Sequence, residues 1–451
     1  MNSASTLSPA AAADFVRGRL PTGGLFAGHE WRISPEAFPL EPALARELES
    51  LGRVFLQFYR ALNLLYRQSV EGRQPAWVSE LLDQGKPREL IEWQRHAGFK
   101  NEIPRIIRPD LLPGETGLIL AELDSVPGGL GLTAWLNQTY SALPGGSPVL
   151  GGPRGMFEGF AGIFGRAPQV HVVISQEAAT YRPEMEWLAG QIGSDRIKIE
   201  SGDFAPATEG EAVYRFFELF DVGNVPHAAR IFNWGAERKI QVTPPPKPIF
   251  EEKIVFALLW NRNLREFWRQ NLGDGFLTRL LKMVPYSWAV DPAPLPPHAA
   301  IPELNVTDWG QLKTMSQKDR DLILKISGYS EKAWGARGVY LGSDLSQADW
   351  SAAVDEATSS FGRSPYVLQR YGKPRLFDSR WFDFASGEVR EMKGRVRLCP
   401  YYFVVGDGDA ARAQLGGVLA TICPADKKII HGMTDAILAP CVVGPENLAK
   451  E

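Results

Sequence analysis

The segment IIRPDLLPGETGLILAELDSVPGG carries Arg108-Pro109-Asp110 and, twelve residues past that aspartate, Glu122-Leu123-Asp124. Ile106 and Ile107 precede the first acid, and Leu118, Ile119 and Leu120 precede the second pair. Between them Pro113-Gly114-Glu115-Thr116-Gly117 is turn chemistry, so the segment predicts a β-hairpin with a loop of several residues. Alternate side chains of a strand share a face, which puts Glu122 and Asp124 together. In matching register Asp110 lies opposite them, and three carboxylates converge beside one arginine. Like charges on one sheet face repel, and a divalent cation among them relieves the repulsion. Hard oxygen ligands of this kind suit Mg²⁺, with Mn²⁺ the alternative, holding phosphate oxygens. The plainer alternative is a solvated hairpin face bearing ordinary acids. On the cation reading, Asp110→Asn or Glu122→Gln removes a ligand and leaves the fold intact.

A second region begins at Leu322-Ile323-Leu324-Lys325, a short apolar strand ending in lysine. It runs into a loop holding Gly328, Lys332, Gly335, Arg337 and Gly338 before the next strand signal at Val339. Glycines and cations in such a loop can wrap phosphates with backbone N–H groups and offset their charge. The GK[ST] ending of a P-loop is missing, and a purely structural hairpin loop is the alternative. Ser346-Gln347-Ala348-Asp349 is patterned as a capping box opening a helix with Trp350 and Val354 on its buried face. The stretch from Tyr366 to Tyr371 then reads as a strand whose backbone groups can hydrogen-bond an adenine edge.

The elements around these regions follow from periodicity. Residues 1 to about 40, rich in Ala, Ser, Gly and Pro, predict a loosely ordered lead-in. Leu44, Leu48, Leu51, Phe55, Phe58, Leu62 and Leu65 recur every three or four residues and predict a long amphipathic helix. The strand signals at 169–174 and 196–200 flank a helical segment over 181–192, which is a βαβ unit. No GxGxxG accompanies it, so a dinucleotide-binding dehydrogenase is disfavoured. The run Pro244-Pro245-Pro246-Lys247-Pro248 predicts a stiff connector. One amphipathic helix is expected over 253–271, with Phe256, Leu259, Trp260, Phe267 and Trp268 inward. Arg395 and Arg397 alternate toward one face of a later strand, lining an anionic site or sitting as a surface pair. His431 reads either as a catalytic histidine oriented by Asp435 or, being a lone histidine beside a turn, as a structural one.

Composition narrows the class. A chain of 451 residues is long enough for two or three domains. A net charge of −3 implies no nucleic-acid or other polyionic partner. The three cysteines, Cys399, Cys423 and Cys441, lie far apart without metal-like spacing, which fits a reducing cytosol. No apolar run is long enough to span a bilayer, and the start lacks a charged region followed by an apolar one. The expectation is a soluble cytoplasmic protein without membrane partners.

With both chemical regions in view, the chain resembles a circularly permuted ATP-grasp protein of the glutathionylspermidine-synthase-like group. In that group an R-x-D strand precedes an E-x-N strand by about a dozen residues, an α/β pre-grasp domain follows, and the lysine strand, flexible loop and adenine strand come last. Arg108 and Asp110 fit the first motif and Glu122 the acid of the second. Lys325 fits the nucleotide lysine, 328–338 the phosphate-covering loop, and Gln369 to Tyr371 the adenine strand. The resemblance covers about 90–440 and implies an α/β fold with α+β elements. Its parts are an N-terminal helical segment over 1–85, the metal-carboxylate part over 86–155, a pre-grasp domain with a closing helix over 156–300, and the nucleotide part over 301–451. It also implies ATP and Mg²⁺ as cofactors, with a small-molecule or peptide carboxylate and an amine as partners. Asp110, Glu122 and Asp124 would hold the metal, and Arg108 would orient the acceptor carboxylate or the acyl phosphate. Lys325 would contact the α- and β-phosphates, and Lys332, Gly335, Arg337 and Gly338 would close over the γ-phosphate. Two departures stand out: Asp124 replaces the usual asparagine, and Pro109 removes a backbone donor, which predicts an unpaired or bulged strand edge. A degenerate nucleotide-binding or partner-binding protein is the alternative implied by those departures.

Overall fold

The computed structural model describes residues 7–22, 31–333, 335, 337–430 and 434–445. They form two units, each discontinuous in sequence: residues 1–56, 102–245 and 374–451 in the first, 57–101 and 246–373 in the second.

The first unit is built on two sheets. The larger runs in the order Arg32–Ile33, Ile437–Val443, Arg412–Pro424, Glu388–Val405, Ile106–Pro113, Leu118–Asp124. Leu376–Asp383 adds to the first half of the long Glu388–Val405 strand, and Phe38–Leu40 runs parallel to Ile437–Val443. The smaller sheet is parallel, in the order Ile197–Ser201, Val170–Ile174, Ala212–Phe216, Gln241–Thr243. Helix Arg182–Ile192 connects the first pair in chain order, so the expected βαβ unit is present. One continuous core serves both sheets. Trp135 of helix Leu130–Ser141, Phe160 of helix Gly155–Gly162, Tyr214 of the parallel sheet, and Tyr401 and Phe403 of the long strand all pack within it. Parallel strands covered by helices need apolar residues at nearly every position, and Ala212–Phe216 is buried throughout.

The second unit centres on an antiparallel sheet ordered Val339–Leu341, Leu322–Ile326, Tyr366–Arg370, Ser287–Ala289. Leu322, Leu324 and Ile326 alternate onto one face and pack with Leu368 and with Trp350 and Val354 of helix Gln347–Ser359. That helix is capped as its sequence predicts: Ser346 Oγ accepts the Asp349 N–H at 3.1 Å, and the Ser346 hydroxyl donates to Asp349 Oδ2 at 2.6 Å. Lys325 therefore points to the opposite face, its strand neighbours being Val339 and Val367.

Two expectations change. The N-terminal segment is not uniformly irregular, because Pro9–Arg17 is a helix and Arg32–Ile33 and Phe38–Leu40 are strands. Ser8 caps the helix by accepting the Ala11 N–H at 3.3 Å, with Pro9 at the first helical position. The helix expected over 253–271 is broken into Val255–Trp260 and Arg265–Met283. Asn261 turns extended and its side chain accepts the Asn263 N–H at 2.9 Å, a local bond that competes with helix continuation. No helix among the described residues is long and apolar enough to cross a membrane.

Candidate functional site

The hairpin forms with Arg108 opposite Asp124, Pro109 opposite Leu123 and Asp110 opposite Glu122. Gly114 N–H closes the turn on Gly117 O at 2.8 Å. Arg108, Asp110, Glu122 and Asp124 thus share one face, the register the sequence requires. Pairing then skips Ala121 and resumes at Leu111 with Leu120. On the other edge, the pairs with the long strand are Ile106–Phe403, Ile107–Tyr402 and Leu111–Leu398, and no ladder pair spans Arg108–Asp110. Pro109 has no N–H to give at that point, so the ladder lapses there and the hairpin bulges beside it.

Asp110 is buried and Glu122 and Asp124 are half-buried, and two arginines hold Asp110 and Asp124. Arg108 pairs with Asp124 Oδ2 at 2.9 Å and with Asp110 Oδ1 at 3.2 Å. Arg397 Nη1 donates to Asp110 Oδ2 at 3.2 Å, and the Cys399 thiol donates to Oδ1 at 3.4 Å. Asp124 Oδ1 accepts the Val126 N–H at 2.8 Å. Burial opposes the charge on Arg108, but Asp110 and Asp124 outweigh it and hold its pKa well above the ordinary value. Burial pushes Asp124 up to about 6; Arg108 opposes that rise, while Glu122 and Asp110 add to it. Burial, then Asp110, drives Cys399 up to about 12, so the thiol is a donor and not a nucleophile. Of the two readings for Arg397, lining the anionic site is the one the geometry matches, since only 15 % of its side chain is exposed. Arg395 turns away to donate to the carbonyl of Lys427 at 3.2 Å.

Charge and ligand chemistry suit a hard cation, because three carboxylates and two guanidinium groups gather in half-buried surroundings and leave one negative charge over. The arrangement itself is arginine-clamped. Both oxygens of Asp110 and of Asp124 accept protein donors, and among the described residues no three His, Cys, Asp or Glu side chains converge to hold an ion. A cation would have to draw these carboxylates from their arginines.

The chain leaving Asp124 is held from two sides. Gly129 adopts φ +82° ahead of helix Leu130–Ser141. Glu184, fully buried in helix Arg182–Ile192, accepts the Gly129 N–H at 2.7 Å and the Leu132 N–H at 3.0 Å. Burial pushes its carboxyl up to about 7 despite those bonds. The Tyr401 hydroxyl donates to Gly128 O at 2.7 Å. Sequence reasoning missed Glu184, whose place in a first helical turn marks it only as an ordinary dipole partner of its own helix.

In the second unit, Lys325 is buried, with 7 % of the residue exposed, on the sheet face away from the Trp350 core. Gln369 is buried beside it and donates to Ser287 Oγ at 2.8 Å. Arg370 is exposed, lies over the Trp288 ring and donates to Glu303 O at 2.6 Å. Tyr371 follows the strand and gives its N–H to Asp321 O at 2.9 Å. Lys332 pairs with Glu356 at 2.8 Å on the surface. Gly335, at φ +67°, and Arg337 are exposed in the same loop. A Cβ on Gly338 would stand 2.6 Å from Ile326 Cγ2 and 2.8 Å from Lys332 O, so that position is closed to larger residues. At the strand's end lies a buried pair the sequence did not reveal. Lys86 Nζ sits 2.7 Å from Glu252 Oε1, each side chain 1 % exposed, and the Ser327 hydroxyl donates to the same carboxylate. His431 lies outside the described residues, and Asp435 pairs with Arg32 at 3.3 Å.

No protein-family model matches the chain, and neither does any curated protein sequence. Among solved structures, a "Putative gamma-glutamylcysteine synthetase" from Methylobacillus flagellatus KT aligns over 89 % of both chains at 14 % identity, with a TM-score of 0.40. A glutathione synthetase like-effector from Globodera pallida, in apo form, aligns with 97 % of this chain and 96 % of its own at 10 % identity and a TM-score of 0.56. This second likeness is one of fold, a mixed α/β architecture shared along nearly the whole length.

Proposed function

We propose that this protein is an ATP-dependent carbon–nitrogen ligase of circularly permuted ATP-grasp organisation, in the order of the glutathionylspermidine-synthase-like group. It joins a small-molecule or peptide carboxylate to an amine. The observation that carries the reading is the hairpin register that sets Arg108, Asp110, Glu122 and Asp124 on one half-buried face. The fold likeness to a glutathione synthetase like-effector supports it.

In such a ligase the acceptor carboxylate oxygen attacks the γ-phosphorus of ATP. ADP leaves, and the resulting acyl phosphate loses phosphate when the amine attacks its carbonyl. Arg108 suits the acceptor carboxylate and then the acyl-phosphate oxygens, because its planar fork matches both. Lys325 would meet the α- and β-phosphates, and the edge of Gln369, Arg370 and Tyr371 the adenine. Lys332, Gly335, Arg337 and Gly338 would exclude water from the acyl phosphate when their loop closes. Asp110, Glu122 and Asp124 are the residues to hold Mg²⁺, or Mn²⁺, which when bound supplies charge neutralisation to the phosphates.

The second reading, a degenerate protein that binds nucleotide or a partner without ligating, draws on the arginine clamp. Both oxygens of Asp110 and of Asp124 are already engaged, and Asp124 stands where the family has asparagine. Release of ADP with acid and amine mixtures distinguishes a ligase from a binding protein. The first test is calorimetry of ATP with and without Mg²⁺ on wild type and Glu122→Gln. The ligase reading expects Mg²⁺-dependent binding that the variant loses. Binding unchanged in the variant removes the hairpin from the nucleotide site, and no binding in either protein removes the ligase reading.

A further inference from the structure

Glu184 lies 60 residues beyond Asp124 in the chain, yet it caps the helix that follows that aspartate. Its two oxygens take the Gly129 and Leu132 N–H groups, two of the amides that a helix N-terminus leaves unsatisfied. The packing around this contact leaves no slack. A Cβ on Gly131 would stand 2.2 Å from Glu184 O, and one on Gly128 would stand 2.3 Å from Tyr181 Cε1. Tyr401, on the strand that carries Arg397 and Cys399, ties down Gly128 O from the other side. Between this clamp and the carboxylates are four residues, Ser125 to Gly128, and one of them, Val126, donates its N–H to Asp124. A carboxyl group buried at 0 % exposure is a costly way to cap a helix, since an asparagine or serine in the loop would do it locally.

We infer that Glu184 is a positioning residue for the carboxylate face, fixing the 125–132 segment so that the Val126 N–H holds Asp124 in place against Arg108. The inference rests on the proposed function only for what the face does, and its geometric part stands independently. The charged and titratable groups that bear on Glu184 are Arg108 from the hairpin, Tyr181 from its own helix and Tyr401 from the long strand.

The test uses the full chain labelled with ¹⁵N-glycine and ¹⁵N-valine. Amide spectra of wild type, Glu184→Gln and Glu184→Asp are recorded, and Mg·ATP affinity is read by calorimetry. The expected result is that the Gly129 and Val126 amides shift together in Glu184→Gln and move part-way back in Glu184→Asp. Affinity should fall several-fold in Glu184→Gln and recover in the same order. A shift at Gly129 with Val126 unmoved would overturn the inference, leaving Glu184 as a cap and nothing more. Absence of nucleotide binding in wild type would instead defeat the ligase reading, while the Val126 shift would still decide the positional one.

Discussion

Asp110→Asn is the substitution on which sequence and structure disagree most. By sequence it deletes one metal ligand from a preformed site and spares the fold. In the structure Asp110 is the anionic partner of Arg397, at 3.2 Å, with side-chain exposures of 8 % and 15 %. Removing one member of a buried ion pair strands the other charge, at a cost of about 3–5 kcal/mol. That is a large share of the roughly 5–15 kcal/mol that holds a folded protein together. For a unit this size the cost corresponds to a melting temperature lower by about 6–10 °C, at roughly 2 °C per kcal/mol. Adding Arg397→Met removes the stranded guanidinium, so the double variant should regain most of the loss. Equilibrium urea unfolding of wild type, both single variants and the double variant gives the coupling energy as a double-mutant cycle. The reasoning fails if Asp110→Asn unfolds at the wild-type midpoint, or if the double variant loses the sum of the two single losses.

Other consequences can be checked in the same way. Lys86→Met should destabilise the second unit by about 3–5 kcal/mol, because it leaves Glu252 charged at 1 % exposure; denaturant unfolding reads it. Glu184 has its carboxyl raised to about 7 from 4.5, so its ionisation is disfavoured in the fold. Its contribution to stability is therefore present in full below pH 4.5 and is lost as pH rises through about 7, a change of roughly 3 kcal/mol. Glu184→Gln should flatten that part of the stability–pH curve. Lys325→Ala, on the proposed function, should weaken ATP binding severalfold or more, and unchanged affinity in a calorimeter would remove its assigned role.

The parts of this fold that were legible in the sequence are those whose cause is local. The carboxylate hairpin announces itself through Pro113 to Gly117 and the apolar pairs on either side, and Pro109 signals the lapse in its ladder. The βαβ unit shows in two short β-branched runs around a helical one. Ser346 and Asp349 mark their helix start because both partners of the cap lie within one turn. What was not legible depends on residues distant in the chain. Arg397 is 287 residues from Asp110, and either reading of its alternation with Arg395 was open until the fold set one against Asp110 and the other against the backbone of Lys427. Glu184 and the Lys86–Glu252 pair carry no local mark at all. The break at Asn261 was missed for the opposite reason. The apolar spacing of Phe256, Leu259, Trp260, Phe267 and Trp268 runs through it, and a single side-chain bond to the Asn263 N–H decides the backbone.

The long strand Glu388–Val405 has a consequence for how this protein can change over generations. Arg397 and Cys399 reach Asp110 from one side of it, while Tyr402 on the other donates its hydroxyl to Leu48 O and packs against Phe55. Because side chains alternate strictly, deleting one residue between Gly394 and Arg397 would carry the arginine to the far side and bring an apolar neighbour toward the carboxylates. A neighbouring strand absorbs a single extra residue near Gly416, where the register shifts against Tyr401 and Tyr402. Lineages carrying this protein should therefore accept insertions and deletions in that partner strand or beyond the ends of the long one, and within 394–403 only in steps of two.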